Sequence, residues 1–239
     1  SCVIRHIRHD ALPGQPLTEG WLLTLSDANA FARPSDVPAG TETLAAPVPC
    51  TVAEALEKAG QFDRFDPKPL NHLDAWYRLR LETSEPQTET LHFDGLATIS
   101  EVYLNDEIVA HSQSMFEALE VNVELSGTDE LAICFRALKP HLEKTGPRAR
   151  WRPQMMSTQG LRLIRTTALG YMPGWCPEIH AAGPWRPIRL VRDGETNFDI
   201  AAFATELTED GTGIIRLSVA ATASHMEIGC NGTWQALSS

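Results

Sequence analysis

The chain has 239 residues, 43% hydrophobic and 21% charged, the proportions of a soluble globular protein with enough length to bury a core in one or two domains. That composition excludes bulk disorder, and no apolar run approaches the roughly 18 residues that a membrane-spanning helix requires. The net charge of −11 at pH 7 repels nucleic acid and anionic membranes on the whole, although a local patch can depart from the average.

Taken in chain order, short alternations of apolar and polar residues dominate. They run over residues 21–25, 75–83, 90–93, 102–104, 108–110, 116–123, 131–135 and 185–191. Period-2 alternation is the mark of a strand with one buried face. Over 75–83 it places Tyr77, Leu79 and Leu81 on one side and Trp76, Arg78 and Arg80 on the other. Leu104-Asn105-Asp106-Glu107 supplies turn formers at a hairpin tip. One helix is expected after Thr51-Val52-Ala53-Glu54, a capping box in which hydroxyl and carboxylate satisfy each other's backbone amides. Val52, Leu56 and Ala59 give it an apolar stripe, and Gly60 ends it. Strand centres spaced by about 8–14 residues, with 16 Gly and 16 Pro, describe an antiparallel sandwich. A boundary falls near Asp193-Gly194-Glu195. Three further strand-like runs come after it, at 198–205, 213–221 and 226–229, too few to close a sandwich of about 100 residues.

Cys2, Cys50, Cys134, Cys176 and Cys230 are odd in number and widely spaced, which supplies neither a zinc ribbon nor a dense disulfide framework. Reduced thiols fit the cytoplasm, with the periplasm left open. No cofactor and no metal site is expected. His6 and His9 lack a third ligand, and Ser157 and Ser218 lie outside any nucleophile-elbow context. Asn231-Gly232-Thr233 is a glycosylation sequon by letters, but its Asn-Gly pair reads first as a hairpin turn. Trp21, Trp76 and Trp185 are expected in packing, His92 as a structural histidine, and Asn105 in service of its turn.

The segment from Lys144 to Pro177 contains no Asp or Glu and holds six of the chain's 20 Lys and Arg. These are Lys144, Arg148, Arg150, Arg152, Arg162 and Arg165, interleaved with Trp151, Tyr171 and Trp175. Three uses compete. Indole rings stack on the C–H faces of a pyranose while guanidinium forks hold vicinal hydroxyls. The same residue types line single-stranded nucleic-acid grooves, a use the net charge opposes. Arg–Trp stacking can also simply pin a long loop or meet a partner domain.

Three ordered segments decide between them. Phe93-Asp94-Gly95, leading on to Val102-Tyr103-Leu104-Asn105, resembles the F-x-G…V-x-L-N-G unit of the family 2 glycoside hydrolases. Val48-Pro49-Cys50-Thr51-Val52 resembles their V-P-G-x-V turn, and Gly183-Pro184-Trp185-Arg186-Pro187-Ile188-Arg189-Leu190 resembles their closing G-I-W-R-x-V-x-L strand. With flanking strands the three cover residues 21–191. Between Arg165 and Pro177 the chain is most similar to the β-mannosidase branch, whose loop reads Arg-Lys and then Gly-Trp-Asp-Trp-Gly-Pro.

The resemblance implies an all-β chain. A jelly-roll, galactose-binding-like β-sandwich would span 1–194, followed over 195–239 by the first strands of an immunoglobulin-like β-sandwich. Downstream, the family carries a (β/α)8 barrel whose two glutamates act as nucleophile and acid/base about 5 Å apart in a retaining mechanism. No Asn-Glu dipeptide like the family's acid/base motif occurs here, and no alternating βα pattern. The fragment is therefore expected to be non-catalytic, with the terminal sugar of a β-glycoside and the downstream catalytic barrel as partners, and neither nucleic acid nor membrane. Carried over by resemblance, Trp175 matches the Trp that walls the terminal-sugar subsite. Arg165 matches the upstream Arg, with two extra residues between them. Cys176 stands where the family has a sugar-binding Asp, and Glu178 is the candidate replacement carboxylate or a solvated loop residue. A stand-alone carbohydrate-binding module and a pure interaction domain remain the alternatives.

Overall fold

A computed structural model describes residues 14–144, 146, 152–192, 198–221, 227–230 and 233–236. The alternating segments are strands: β1 (Gln15–Pro16), β2 (Leu22–Asp27), β3 (Leu44–Ala45), β4 (Leu73–Glu82), β5 (Gln87–Phe93), β6 (Leu96–Ala97), β7 (Ser100–Leu104), β8 (Glu107–Ser112), β9 (Leu119–Leu125), β10 (Thr128–Phe135), β11 (Gly183–Pro184) and β12 (Ile188–Arg192). Helix α1 (Val52–Lys58) precedes β4, and the one-turn helix α2 (Lys139–Leu142) follows β10. Among the described residues no helix is long and apolar enough to cross a membrane.

A six-stranded sheet of order β3-β2-β4-β10-β7-β8 faces a four-stranded sheet of order β1-β12-β5-β9. Leu23, Tyr77, Leu79, Leu131 and Ile133 of the first meet Leu91, Phe93, Val123, Leu125 and Ile188 of the second in one apolar core. The pairing is antiparallel, with β10 matched to β4 over eight residues and to β7 over five. Removal of these side chains from water is the main force closing the two layers.

The expectation of a single buried face on β4 holds for Tyr77, Leu79 and Leu81 but not for Trp76, which is 0% exposed. It packs with Val37, Tyr103, Ala132 and Cys134 under the loop of residues 28–43, which covers that end of the outer face. Charge holds the loop down. Asp74, 1% exposed, accepts from the backbone amides of Asn29 and Ala137 and from Arg136 at 2.8 Å. Arg136 also donates to Glu101 at 2.6 Å and to the Phe31 carbonyl at 2.9 Å, and lies 5.3 Å over the Trp76 ring.

Helix α1 starts as its sequence dictates, with the Thr51 hydroxyl accepting from the Glu54 amide. The Glu54 carboxylate does not return the bond to Thr51; it pairs with Lys58 at 2.7 Å, one turn on. Gly60, at φ +73°, and Gln61 send their amides back to Glu57 and Leu56, so the helix ends in a Schellman motif with Ala59 as its cap. The β7–β8 hairpin turns through Asn105 and Asp106 at φ +50° and +70°, left-handed positions that short polar residues tolerate. Asn105 donates to Asp129 at 2.7 Å, and Asp106 accepts the Ser35 amide at 2.8 Å.

The three sequence motifs, far apart along the chain, meet at one seam. The Cys50 and Val52 amides donate to the Pro184 and Ala182 carbonyls, and β11 pairs with β6. Gly183, at φ +113°, leaves room for nothing larger: an added Cβ would lie 2.7 Å from the Tyr77 hydroxyl, which itself donates to the Cys50 carbonyl. A Cβ on Gly95 would lie 2.7 Å from the Trp185 indole nitrogen. Each motif glycine marks a close approach.

Residues 15–191 form one compact unit, and those from Arg192 on belong to another. The second contains two hairpins, β13 (Phe198–Leu207) with β14 (Gly213–Ala221), and β15 (Glu227–Cys230) with β16 (Thr233–Ala236). Among the described residues, four strands thus stand where three runs were expected. The proposed boundary at 194, Asn231 with Gly232, and His6 with His9 lie outside the described residues.

Candidate functional site

The described residues 152–177 of the acid-free segment are mostly loop, founded on a small apolar cluster of their own. Leu138 and Leu142 from α2 meet Leu161 and Tyr171, with Ile99, Met156, Ile164 and Ala168 at the margin. A short 3-10 turn (Gln159–Leu163) presses against α2 so closely that a Cβ on Gly160 would fall 2.0 Å from the Leu142 carbonyl oxygen.

Arg165 is fixed by its backbone. It bridges to Ser114, and its carbonyl accepts the Met115 amide at 3.0 Å. Its side chain stays exposed, with Nε donating to the Ser114 hydroxyl at 3.3 Å and a terminal nitrogen 3.4 Å from Glu117. Such an exposed pair gains little by itself. Met115 anchors the neighbouring chain on two sides: its buried sulfur accepts the Thr167 amide at 3.0 Å, and its carbonyl accepts the Trp185 indole N–H at 2.9 Å. Thr166 and Thr98 share a hydroxyl–hydroxyl bond of 2.6 Å.

Residues 170–180 then fold back on themselves. Gly170, at φ +88°, lies against the strand leaving the turn, where a Cβ would fall 2.2 Å from the Ile179 carbonyl oxygen. Trp175 and Cys176 send their amides to the Met172 carbonyl at 3.0 and 3.2 Å. The Cys176 thiol accepts the Gly170 amide at 3.1 Å and reaches the Met172 carbonyl at 3.6 Å, so its hydrogen-bonding capacity goes to the turn. Trp175 caps this turn with 72% of its surface exposed. Exposed Phe116, Leu163 and Leu169 lie on the same pair of loops.

Beneath the turn sit two buried rings. Tyr171 and His180 stack at 4.5 Å between centroids and 25° between planes. Burial pushes the Tyr171 hydroxyl up to about 12. His180, 2% exposed, accepts the Leu70 amide on Nδ1 at 3.3 Å, which puts the proton of the neutral ring on Nε2. Burial lowers its pKa, Glu178 raises it and His72 lowers it further, for a net fall. Glu178, exposed above, brings Oε1 to 3.7 Å from His180 Nε2.

Trp175, Cys176 and Glu178 thus share one turn, and Arg165 stands on the adjoining stretch. No hydrogen bond or ion pair among the described residues joins Arg165 to that turn. Tyr171, one of the interleaved aromatics, is buried support rather than a free face. Arg148, Arg150 and Trp151 lie outside the described residues. Sequence reasoning missed Met115, Gly170 and His180. Of these only His180, two residues past Glu178, carried a signal: an imidazole beside the candidate carboxylate.

Known proteins place this architecture. The chain is 27% identical over 196 residues to β-mannosidase B of Aspergillus niger, a match covering 73% of this chain and 22% of that protein. The fold is similar to that of the β-D-mannosidase of Dictyoglomus thermophilum (TM-score 0.59, 19% identity, 86% of this chain and 26% of that one). It is also similar to that of β-glucuronidase 3 of Bacteroides uniformis (TM-score 0.54, 16% identity, 95% and 30%). The chain therefore spans about a quarter of the length of these proteins. The sequence profile described as "Glycosyl hydrolase 2 galactose-binding domain-like" matches residues 31–186, well over half of the chain. This chain belongs to the glycosyl hydrolase 2 galactose-binding domain-like family.

Proposed function

We propose that the chain is the N-terminal, non-catalytic part of a retaining exo-β-glycosidase resembling β-mannosidases. It braces the catalytic barrel and lends the turn of residues 170–180 to the wall of the terminal-sugar subsite. Residues 195–239 open the immunoglobulin-like domain that comes next. One observation carries the reading: an indole with 72% of its surface exposed is held out by a turn closed by the Trp175 and Cys176 amides on Met172 and by the Cys176 thiol on the Gly170 amide. A large exposed ring on a rigid support marks a binding surface, and its flat face suits the C–H face of a pyranose. Trp175 forms the wall, Arg165 and Glu178 offer charged hydrogen-bonding groups to hydroxyls, and Cys176 supports the turn. The nucleophile and acid/base carboxylates belong to the barrel.

The test is a panel of aryl β-glycosides offered to the complete gene product and to residues 1–239 alone. The complete protein is expected to release the aryl group from at least one member, and the fragment from none. Hydrolysis by the fragment overturns the assignment. So does a complete protein inactive on the whole panel. Tight sugar binding by the fragment alone would instead indicate a carbohydrate-binding module.

A further inference from the structure

We propose that His180 is a positioning residue for Glu178, and that the resulting fixed carboxylate selects neutral sugars over uronic acids. The inference rests on the reading of residues 170–180 as a sugar loop and goes beyond it by naming the class of sugar and the group that chooses it.

His180 carries a buried donor that lacks an acceptor among the described residues. His180 Nδ1 is occupied by the Leu70 amide, so the remaining proton sits on Nε2. That nitrogen is buried and has no hydrogen-bond partner among the described residues. A buried unsatisfied N–H is costly, and folded proteins rarely keep one without a use. The nearest acceptor is Glu178 Oε1, 3.7 Å away, beyond a hydrogen bond by a few tenths of an ångström. Stacking on Tyr171 and the bond to Leu70 hold the ring still, so Glu178 is the group that moves. With the bond closed, one carboxylate oxygen is tied to Nε2–H and the other lone pairs of this exposed side chain face solvent.

A carboxylate held this way accepts from two hydroxyls of a neutral sugar. It repels the carboxylate of a uronic acid, at a separation where like charges cost several-fold or more in affinity. Arg165, the cation on the adjoining stretch, contacts Ser114 and Glu117 and makes no ion pair among the described residues with the turn that carries Glu178. Cys176 cannot serve instead, because its thiol is bonded within the turn.

The experiment compares hydrolysis of p-nitrophenyl β-D-mannoside and p-nitrophenyl β-D-glucuronide by the complete gene product and its variants. Glu178→Gln is expected to raise KM for the mannoside about tenfold with kcat within about twofold, the signature of lost uniform binding, and to improve relative turnover of the glucuronide. His180→Asn keeps an acceptor for Leu70 but loses the outward donor, and should reproduce the KM effect. His180→Gln, which places an amide nitrogen where Nε2 stands, should restore KM. The double variant Glu178→Gln/His180→Asn should be no worse than either single one, because both act through one contact. Mannoside turnover with an unchanged KM in Glu178→Gln overturns this proposal and leaves the glycosidase reading standing. So does a His180→Gln variant no better than His180→Asn. A complete protein inactive on every aryl glycoside overturns both.

Discussion

The loop of residues 28–43 is tied to the outer face of the six-stranded sheet by charge, whereas residues 164–182 are tied down by sulfur, backbone and imidazole. In the first loop Asp74, Arg136 and Glu101 are consumed by one another, and what they enclose is the Trp76 cluster. In the second, neutral groups do the fastening: the Met115 and Cys176 sulfurs, the Thr98 and Ser157 hydroxyls and the His180 ring. Arg165 and Glu178 therefore stay at the surface, and the large ring faces outward. The difference teaches how one fold makes two kinds of loop. A buried ionic clamp fixes a single geometry and ends its own chemistry, while a neutral clamp leaves charged groups for a ligand.

The contrast breaks most forcibly at Asp74. Asp74→Ala leaves Arg136 facing one carboxylate instead of two and frees the amides of Asn29 and Ala137. Removing one partner of a buried pair costs about 3–5 kcal/mol, read as a fall in the urea midpoint at constant slope. A cost below about 1 kcal/mol would show that the clamp is not what holds the first loop.

Gly170→Ala is the corresponding break in the second loop. The residue sits at φ +88° and the new Cβ would meet the Ile179 carbonyl oxygen at 2.2 Å, so backbone strain of about 1–3 kcal/mol is expected. Most of it should be relieved by displacement of residues 170–180. Trp175 fluorescence and sugar turnover should then change more than the unfolding midpoint does, the reverse of the Asp74 variant.

Acid separates the two clamps by pH window. Burial raises the Glu101 carboxyl, but hydrogen bonds from Arg136 and Tyr103 outweigh it and bring the pKa below its usual 4.5. The unfolded chain then binds this proton first, so the stabilisation is present above 4.5 and is lost as pH falls through the lower folded value. His180 works in a higher window. Its folded pKa lies below 6.5, so the unfolded chain gains a proton that the folded one resists, and stability falls once pH drops below about 6.5. His92 and His141, both lowered mainly by burial, add to the same slope. His180→Asn should therefore flatten the stability profile between pH 7 and 5.5, and Glu101→Gln should flatten it below 4.5. Identical profiles in all three proteins would refute the assignment.

How much was legible in the sequence depends on the range of the interactions. The Thr51 cap, the Asn105-Asp106 turn and the alternation of Tyr77, Leu79 and Leu81 are local backbone constraints, and each stands where it was expected. The three motifs were legible because their glycines answer to close approaches, of Tyr77 to Gly183 and of Trp185 to Gly95. Trp76 was expected in packing and is buried, but what covers it was not legible, because a period-2 pattern cannot register a loop some forty residues upstream. The bond from Met115 to Thr167 spans 52 residues and left no trace in either local pattern. Tyr171 looked like a candidate stacking face only because His180, nine residues on, was not known to cover it.

Trp175→Ala gives the smallest effect on stability and the sharpest test of the comparison. A side chain with 72% of its surface in water contributes little to folding, and surface substitutions away from special features stay within about 0.5 kcal/mol. The turn's bonds run through the backbone amides of residues 170, 175 and 176 and the Cys176 sulfur, all of which an alanine at 175 preserves. Turnover of an aryl β-glycoside by the complete protein should nevertheless fall by at least tenfold, because a stacked ring in a sugar subsite has no substitute on this loop: Tyr171 is buried against His180. The pairing of unchanged stability with lost turnover is what a displayed side chain on a neutral clamp predicts. A fall in the urea midpoint with turnover intact would make Trp175 a packing residue awaiting the partner domain, and the second loop would then be an interface rather than a wall of the sugar site.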